Sequence, residues 1–204
     1  MKARLLIPSF MALGLIWSTS SFAVAYKIDS SKSSVQWAAY KVVEALGGHN
    51  GSIKIKEGTL DLGGKEAKGR FVIDMKSIEA LDLKDKPDLK GKLEKHLNSE
   101  DFFGVDKHPE AVFVLKKWQQ DPKDKVKYQV DGELTIKGTT GPLSIPAEVI
   151  EKNGNLQISS TFTIQRNLWN IRYNSPTFFD IKTLGDKAIK DEVEFKIEML
   201  AVKK

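Results

Sequence analysis

Strict alternation of apolar and polar side chains limits what this chain can become more than any other feature. Tyr128, Val130, Leu134 and Ile136 alternate with Lys127, Gln129, Asp131, Glu133, Thr135 and Lys137. Near the C-terminus, Val193, Phe195, Ile197 and Met199 alternate with Glu192, Glu194, Lys196 and Glu198. Successive side chains on a strand point to opposite faces, so a period of two with one wet side reads as antiparallel sheet solvated on one face. Weaker runs of the same kind occupy residues 35–39, 53–62, 71–75, 111–115, 143–149 and 156–164. Turn signals separate them at Gly63-Gly64, Lys123-Asp124, residues 138–142 and Asn153-Gly154-Asn155, which suggests hairpins. About eight strands joined mainly by short turns make an all-β sandwich or barrel.

Two segments depart from the pattern. In residues 87–97 the apolar positions are Leu89, Leu93 and Leu97, at helical spacing. Pro87 suits a first helical turn and Asp88 complements the positive end of the helix dipole, so one short helix is expected between two strands. Residues 167–189 lack a clean period and carry Trp169, Tyr173, Phe178 and Phe179. A stretch that long without its own pattern reads as a functional loop over an opening, or as a strand whose phase is hidden.

The N-terminus assigns a compartment. Lys2 and Arg4 precede a nearly wholly apolar run over residues 5–17, a Ser/Thr-rich stretch, and Ala23-Val24-Ala25. That order is a secretory signal cleaved after Ala25. The apolar run is shorter than the ~20 residues that span a bilayer. Residues 26–204 are then one domain, periplasmic or secreted. Cysteine is absent, which excludes disulfides, thiol catalysis, thiolate metal sites and lipid attachment through cysteine. Stability has to come from a hydrophobic core. The formal charge is +5, but the lysines are scattered among acids, so no nucleic-acid footprint is visible.

A search for catalytic motifs is nearly empty. His49, His96 and His108 are the only histidines, and no two stand at i, i+4; no metal site is read from them. There is no Gly-x-Ser-x-Gly elbow and no phosphate-cradling glycine loop. The stronger clue is the inward-facing apolar set: Val35, Trp37, Phe71, Ile73, Phe113, Tyr128, Leu134, Phe162 and Phe195. If the sheet closes, these residues converge on one axis, where they either fill the interior or line a pocket for one apolar ligand.

Six runs in order carry a family resemblance: residues 69–78 (GRFVIDMKSI), 93–103 (LEKHLNSEDFF), 108–113 (HPEAVF), 132–142 (GELTIKGTTGP), 171–179 (IRYNSPTFF) and 184–189 (LGDKAI). With them the chain resembles the YceI-like family of exported bacterial proteins over residues 26–203. The resemblance implies an eight-stranded, antiparallel, lipocalin-like β-barrel with one inserted short α-helix. It also implies an elongated apolar pocket for an isoprenoid lipid, either a polyprenyl chain or a quinone tail. No shared catalytic centre and no cofactor are implied, so the reading is a non-enzymatic binding protein for transport, storage or stress protection, with transient contact at a membrane surface. A hydrolase or isomerase acting on an apolar substrate in the same cavity is the alternative. Phe102, Phe103, Phe178 and Phe179 are candidates for the rim, and His49, Arg166 and Arg172 for the polar end, where a cation or imidazole would meet a head group. The chain departs from the family pattern in two places. Gly141 stands where a basic residue usually precedes the proline, and residues 82–87 lack the usual Arg-Asp pair.

Overall fold

A computed structural model describes residues 24–63 and 66–204. The expected leader, apart from Val24 and Ala25, and Gly64 of the first expected turn lie outside the described residues. The strands are β1 (Ala25–Ile28), β2 (Ser34–Lys41), β3 (Gly48–Asp61), β4 (Lys68–Ala80), β5 (Glu110–Gln120), β6 (Lys127–Ile136), β7 (Thr139–Lys152), β8 (Asn155–Gln165) and β9 (Ile189–Lys203). The α-helix α1 (Pro87–Asn98) lies between β4 and β5. All eight alternating runs are strands, and the helix stands where the leucine spacing predicts it. Leu89, however, is exposed on the first turn, so only Leu93 and Leu97 of the expected stripe face inward.

The sheet is a closed antiparallel barrel. β3, β2, β9, β8, β7, β6, β5 and β4 pair in that order, and β4 returns to β3. β1 is the strand that alternation did not show. It pairs with β3 and β9, the same two neighbours that flank β2. The barrel therefore has eight staves, one of them broken into β1 and β2 by a turn over Asp29–Ser33. Asp29 caps that turn, its Oδ1 accepting the Ser31 amide at 3.1 Å.

Turn chemistry fixes the register of the β6–β7 hairpin. Lys137 and Gly138 both have positive φ, at 48° and 75°, the type I′ geometry that matches strand twist. The expected turn at 138–142 thus closes at Gly138, and β7 begins at Thr139. A two-residue loop makes Ile136 and Thr139 a hydrogen-bonded pair, so even-numbered residues of β7 turn their backbone groups toward β8. Pro142 and Pro146 are among those even positions, and neither has an amide hydrogen to offer. The β7–β8 ladder accordingly covers only Glu148–Lys152 against Asn155–Ser159. Beyond it, the Ser160 hydroxyl donates to the Pro146 carbonyl.

One end of the barrel is packed solid by Tyr26, Ile28, Leu60, Leu115, Leu156 and Ala201, all buried. At the other end, α1 and residues 166–188 cover the opening. Gly51 sits where β3 approaches β4 and Trp37 most closely. A Cβ there would lie 1.8 Å from the Glu79 carbonyl oxygen and 2.6 Å from Trp37 Cζ2. Backbone cannot yield as a side-chain tip does, so Gly51→Ala is expected to destabilise the barrel by about 2–3 kcal/mol. Urea unfolding checks this, and an unchanged midpoint would show that the two strands can part there freely.

Candidate functional site: an apolar lumen with a covered mouth

The barrel is hollow. A cavity of about 320 Å³ runs along its axis, within the usual size range of small-molecule pockets. Its walls extend from His49 and Ile189 at the covered end to Trp118, Ala147 and Met199 toward the packed end. Register explains which side chains reach it. Odd residues of β7 (Leu143, Ile145, Ala147) face in, as do even residues of β8 (Ile158, Ser160, Phe162, Ile164) and odd residues of β9 from Ile189 through Met199, save Asp191. Ile73, Phe113, Leu134, Phe162 and Phe195 point inward yet are only half-buried. Their remaining exposure faces the lumen, which separates a hollow barrel from a filled one. Phe162 and Phe195 pair across β8 and β9 and stack at 5.6 Å, making a flat patch of wall.

The cover over the mouth is built from distant parts of the chain. Leu93 and Leu97 of α1, with Phe102 and Phe103 just after it, border the cavity. The Glu94 carboxylate accepts the Ala80 amide at 3.0 Å, and Lys90 pairs with Glu79, tying α1 to the end of β4. His96 packs edge-on against Tyr173 at 4.3 Å and against Phe102 at 5.2 Å, joining α1 to the 166–188 segment. That segment is the loop over an opening that its irregular sequence suggested. Trp169 is fully buried and donates its indole N–H to the Leu134 carbonyl at 2.7 Å. Its ring lies against Gly141, where an added Cβ would meet it at 3.4 Å.

Arg166 holds this loop from within. Nε donates to Lys190 O at 3.1 Å, Nη1 to Ile171 O at 3.1 Å and Tyr173 O at 2.9 Å, and Nη2 to Ile189 O at 3.1 Å. Nη2 also ion-pairs with Asp191 Oδ1 at 3.4 Å. Asp191 Oδ2 in turn accepts from Ser175 Oγ at 2.9 Å and Thr177 Oγ1 at 2.7 Å. Burial pushes the guanidinium below the ordinary arginine value, against the opposing pull of the Asp191 charge. Arg166 touches the lumen, but four of its five N–H groups bond carbonyls of the loop and of β9 and the guanidinium faces Asp191, so it serves as a structural clamp.

At the mouth stands a second polar pair. His49 is on the inner phase of β3, opposite Ala39 of β2, and borders the cavity with a side chain 45% exposed. Its Nδ1 lies 2.8 Å from Asp82 Oδ2, while Asp82 Oδ1 accepts the Asn50 amide at 3.1 Å. Burial of Asp82 works against ionisation, but the His49 and Asn50 hydrogen bonds outweigh it and hold the carboxyl below the ordinary aspartate value.

Among the expected lining residues, Val35, Trp37, Phe71, Ile73, Phe102, Phe103, Phe113, Leu134, Phe162 and Phe195 all border the cavity. Four other expected site residues are placed elsewhere. Tyr128 packs beneath the cavity floor against Trp118 at 5.1 Å, its hydroxyl held by Gln120 at 3.0 Å. Phe178 and Phe179 belong to the outside of the covering loop, where Phe179 is exposed. Arg172 is occupied there too, its Cζ 4.5 Å over the Phe178 ring. Several wall positions escaped the sequence reading, among them Ile145, Ala147 and Ile158. Their alternating phase lies within the runs at 143–149 and 156–164, where small and aliphatic side chains carry a weaker signal than aromatics. Asp82 left no local signal, because its partner is 33 residues away.

Comparison with known proteins follows the same outline. Residues 26–201 match the YceI-like domain model. A UPF0312 protein of Pectobacterium carotovorum is 39% identical over 57 residues, and one of Photorhabdus laumondii is 40% identical over 57 residues. In each case the aligned part is 28% of this chain and 28% of the relative. Among solved structures, BcnA of Burkholderia cenocepacia superposes with a TM-score of 0.61 at 22% identity, covering 85% of this chain and 98% of that one. A polyisoprenoid binding domain from Saccharophagus degradans, implicated in plant cell wall breakdown, gives 0.63 at 11% identity over 89% of this chain and 99% of the other. These two likenesses are likenesses of fold.

Proposed function

The chain belongs to the YceI-like domain family, and on that footing we propose that it is an exported binding protein that shields the tail of an isoprenoid lipid or quinone from water. The observation that carries this reading is the lumen itself: one elongated, almost wholly apolar cavity, packed shut at one end and covered at the other. Burying a methylene gains about 0.8 kcal/mol, so a ten-carbon tail gains roughly 8 kcal/mol. Lost translational and rotational freedom costs about 4–15 kcal/mol. Tails of several isoprene units are therefore held and short ones are not.

Two of the polar groups on the wall are engaged with the protein itself, which fits holding better than turnover. Ser160 gives its hydroxyl to the Pro146 carbonyl, and Arg166 spans carbonyls of the covering loop and of β9. Export rests on the leader pattern. Tyr26 and Ile28, the buried side chains of β1, lie on the retained side of a cleavage after Ala25, and sequencing of the secreted protein is expected to begin at Tyr26.

The test of the binding reading is extraction of lipid from protein purified out of the periplasm, with identification by mass spectrometry. A co-purifying long-chain isoprenoid is expected. Protein that is repeatedly lipid-free, and that takes up no added long-chain isoprenoid, would overturn the proposal.

A further inference from the structure

We infer that the lumen holds its ligand's head group at the Nε2 edge of His49, and that this nitrogen takes a hydroxyl hydrogen, as from an isoprenol or a quinol. The inference rests on the binding reading above and adds the chemistry of the ligand's polar end. It begins with Asp82. A carboxylate can only accept, and both Asp82 oxygens are engaged, one by the Asn50 amide and the other by His49 Nδ1 at 2.8 Å. Nδ1 must therefore carry the hydrogen. In the neutral ring this leaves Nε2 as a bare lone pair.

Position does the rest. His49 shares the inner face of the barrel with Ala39, at the last turn of wall before solvent. A tail lying in the lumen brings its head group to this level. The other polar side chains that border the cavity do not compete as acceptors. Ser160 is deep and engaged, Arg166 has donors but no acceptor, and Lys41 is a cation whose Nζ lies 3.4 Å from the Lys187 carbonyl. Tyr40 also borders the cavity, but it is exposed, and a phenol oxygen is a weaker acceptor than an imidazole nitrogen. The Asp82 charge directly behind the imidazole also weighs against an anionic head group on Nε2.

Three ligands with the same polyprenyl tail test this: the free alcohol, its methyl ether and its monophosphate. Their affinities are compared in one buffer. The tails cancel, so the alcohol-to-ether ratio reads the hydrogen bond alone. Wild-type protein is expected to favour the alcohol about three- to tenfold, the range of one neutral hydrogen bond. His49→Phe is expected to bring alcohol and ether level, and Asp82→Asn, which releases the tautomer, to narrow the ratio. A ratio that His49→Phe leaves unchanged overturns the inference, and so does a wild-type preference for the ether or the phosphate. If wild-type protein binds none of the three, the binding reading itself has failed.

Discussion

Replacing Arg166 with methionine is expected to destabilise the protein by about 3–5 kcal/mol, the usual loss when one member of a buried ion pair is removed. Arg166 is 3% and Asp191 7% exposed. Removing the guanidinium strands the Asp191 carboxylate and leaves the carbonyls of Ile171, Tyr173, Ile189 and Lys190 without the donors they now have. For a domain of this size the melting temperature should fall by roughly 10 °C. The double variant Arg166→Met, Asp191→Leu is expected to recover part of that loss, because no unpaired charge remains, but not all of it, because the carbonyls are still unmet. Arg166→Lys should fall between the two single states, since one ammonium cannot span four carbonyls that a planar fork reaches. Thermal unfolding of the three variants decides the matter. A melting temperature for Arg166→Met within a degree or two of wild type would remove the clamp from the account. The same variant should also become sensitive to proteolysis within residues 166–188, where the loop loses its internal tie.

That clamp also marks the boundary of what the sequence discloses. The barrel wall was legible because each stave carries its own period, and a period of two survives inspection of ten residues at a time. Within β3 the inner phase runs through His49, Gly51, Ile53 and Ile55, then passes to Gly58 and Leu60 after a register shift between Ile55 and Glu57. Alternation across such a bulge blurs but remains readable. β1 was missed because four residues, only two of them buried, hold too little pattern to separate strand from loop. The covering loop was legible as a loop, but what holds it was not. Much of its order comes from Arg166 and Trp169, whose side chains meet backbone carbonyls, and carbonyls have no sequence signature. A buried arginine looks the same in sequence as a surface one, so sequence alone does not separate Arg166 from Arg172.

The mouth joins these features into one mechanical unit. Tyr173 offers its carbonyl to Arg166 and its ring to His96 and Phe102. Clamp, loop and helix α1 therefore meet at one residue. The His49–Asp82 pair stands at the same end of the barrel, His49 on β3 and Asp82 on the turn that leaves β4.

Narrowing the lumen tests whether the tail lies where the apolar wall invites it. Ala147→Phe is expected to weaken binding of a long-chain isoprenoid by about 100-fold while leaving the protein folded. Ala147 faces the deep part of the cavity and is buried, so a benzyl group grown from it projects into space the tail would fill. Excluding about four methylenes at roughly 0.8 kcal/mol each gives about 3 kcal/mol, which is on the order of 100-fold in affinity. Filling an apolar void is often neutral or stabilising, so the melting temperature should hold or rise. Ile150→Phe adds apolar surface on the exposed outer face of the same strand and should change neither measurement. Ala111→Phe narrows the cavity nearer the mouth and guards against a local failure to pack at Ala147. Titration with a fluorescent isoprenoid distinguishes the outcomes. Unaltered affinity in both lumen variants, with the fold intact, would mean that the ligand lies outside the barrel. If only long tails lose affinity in Ala147→Phe while shorter ones keep theirs, the tail runs the length of the lumen and the depth of the barrel sets the chain length it selects.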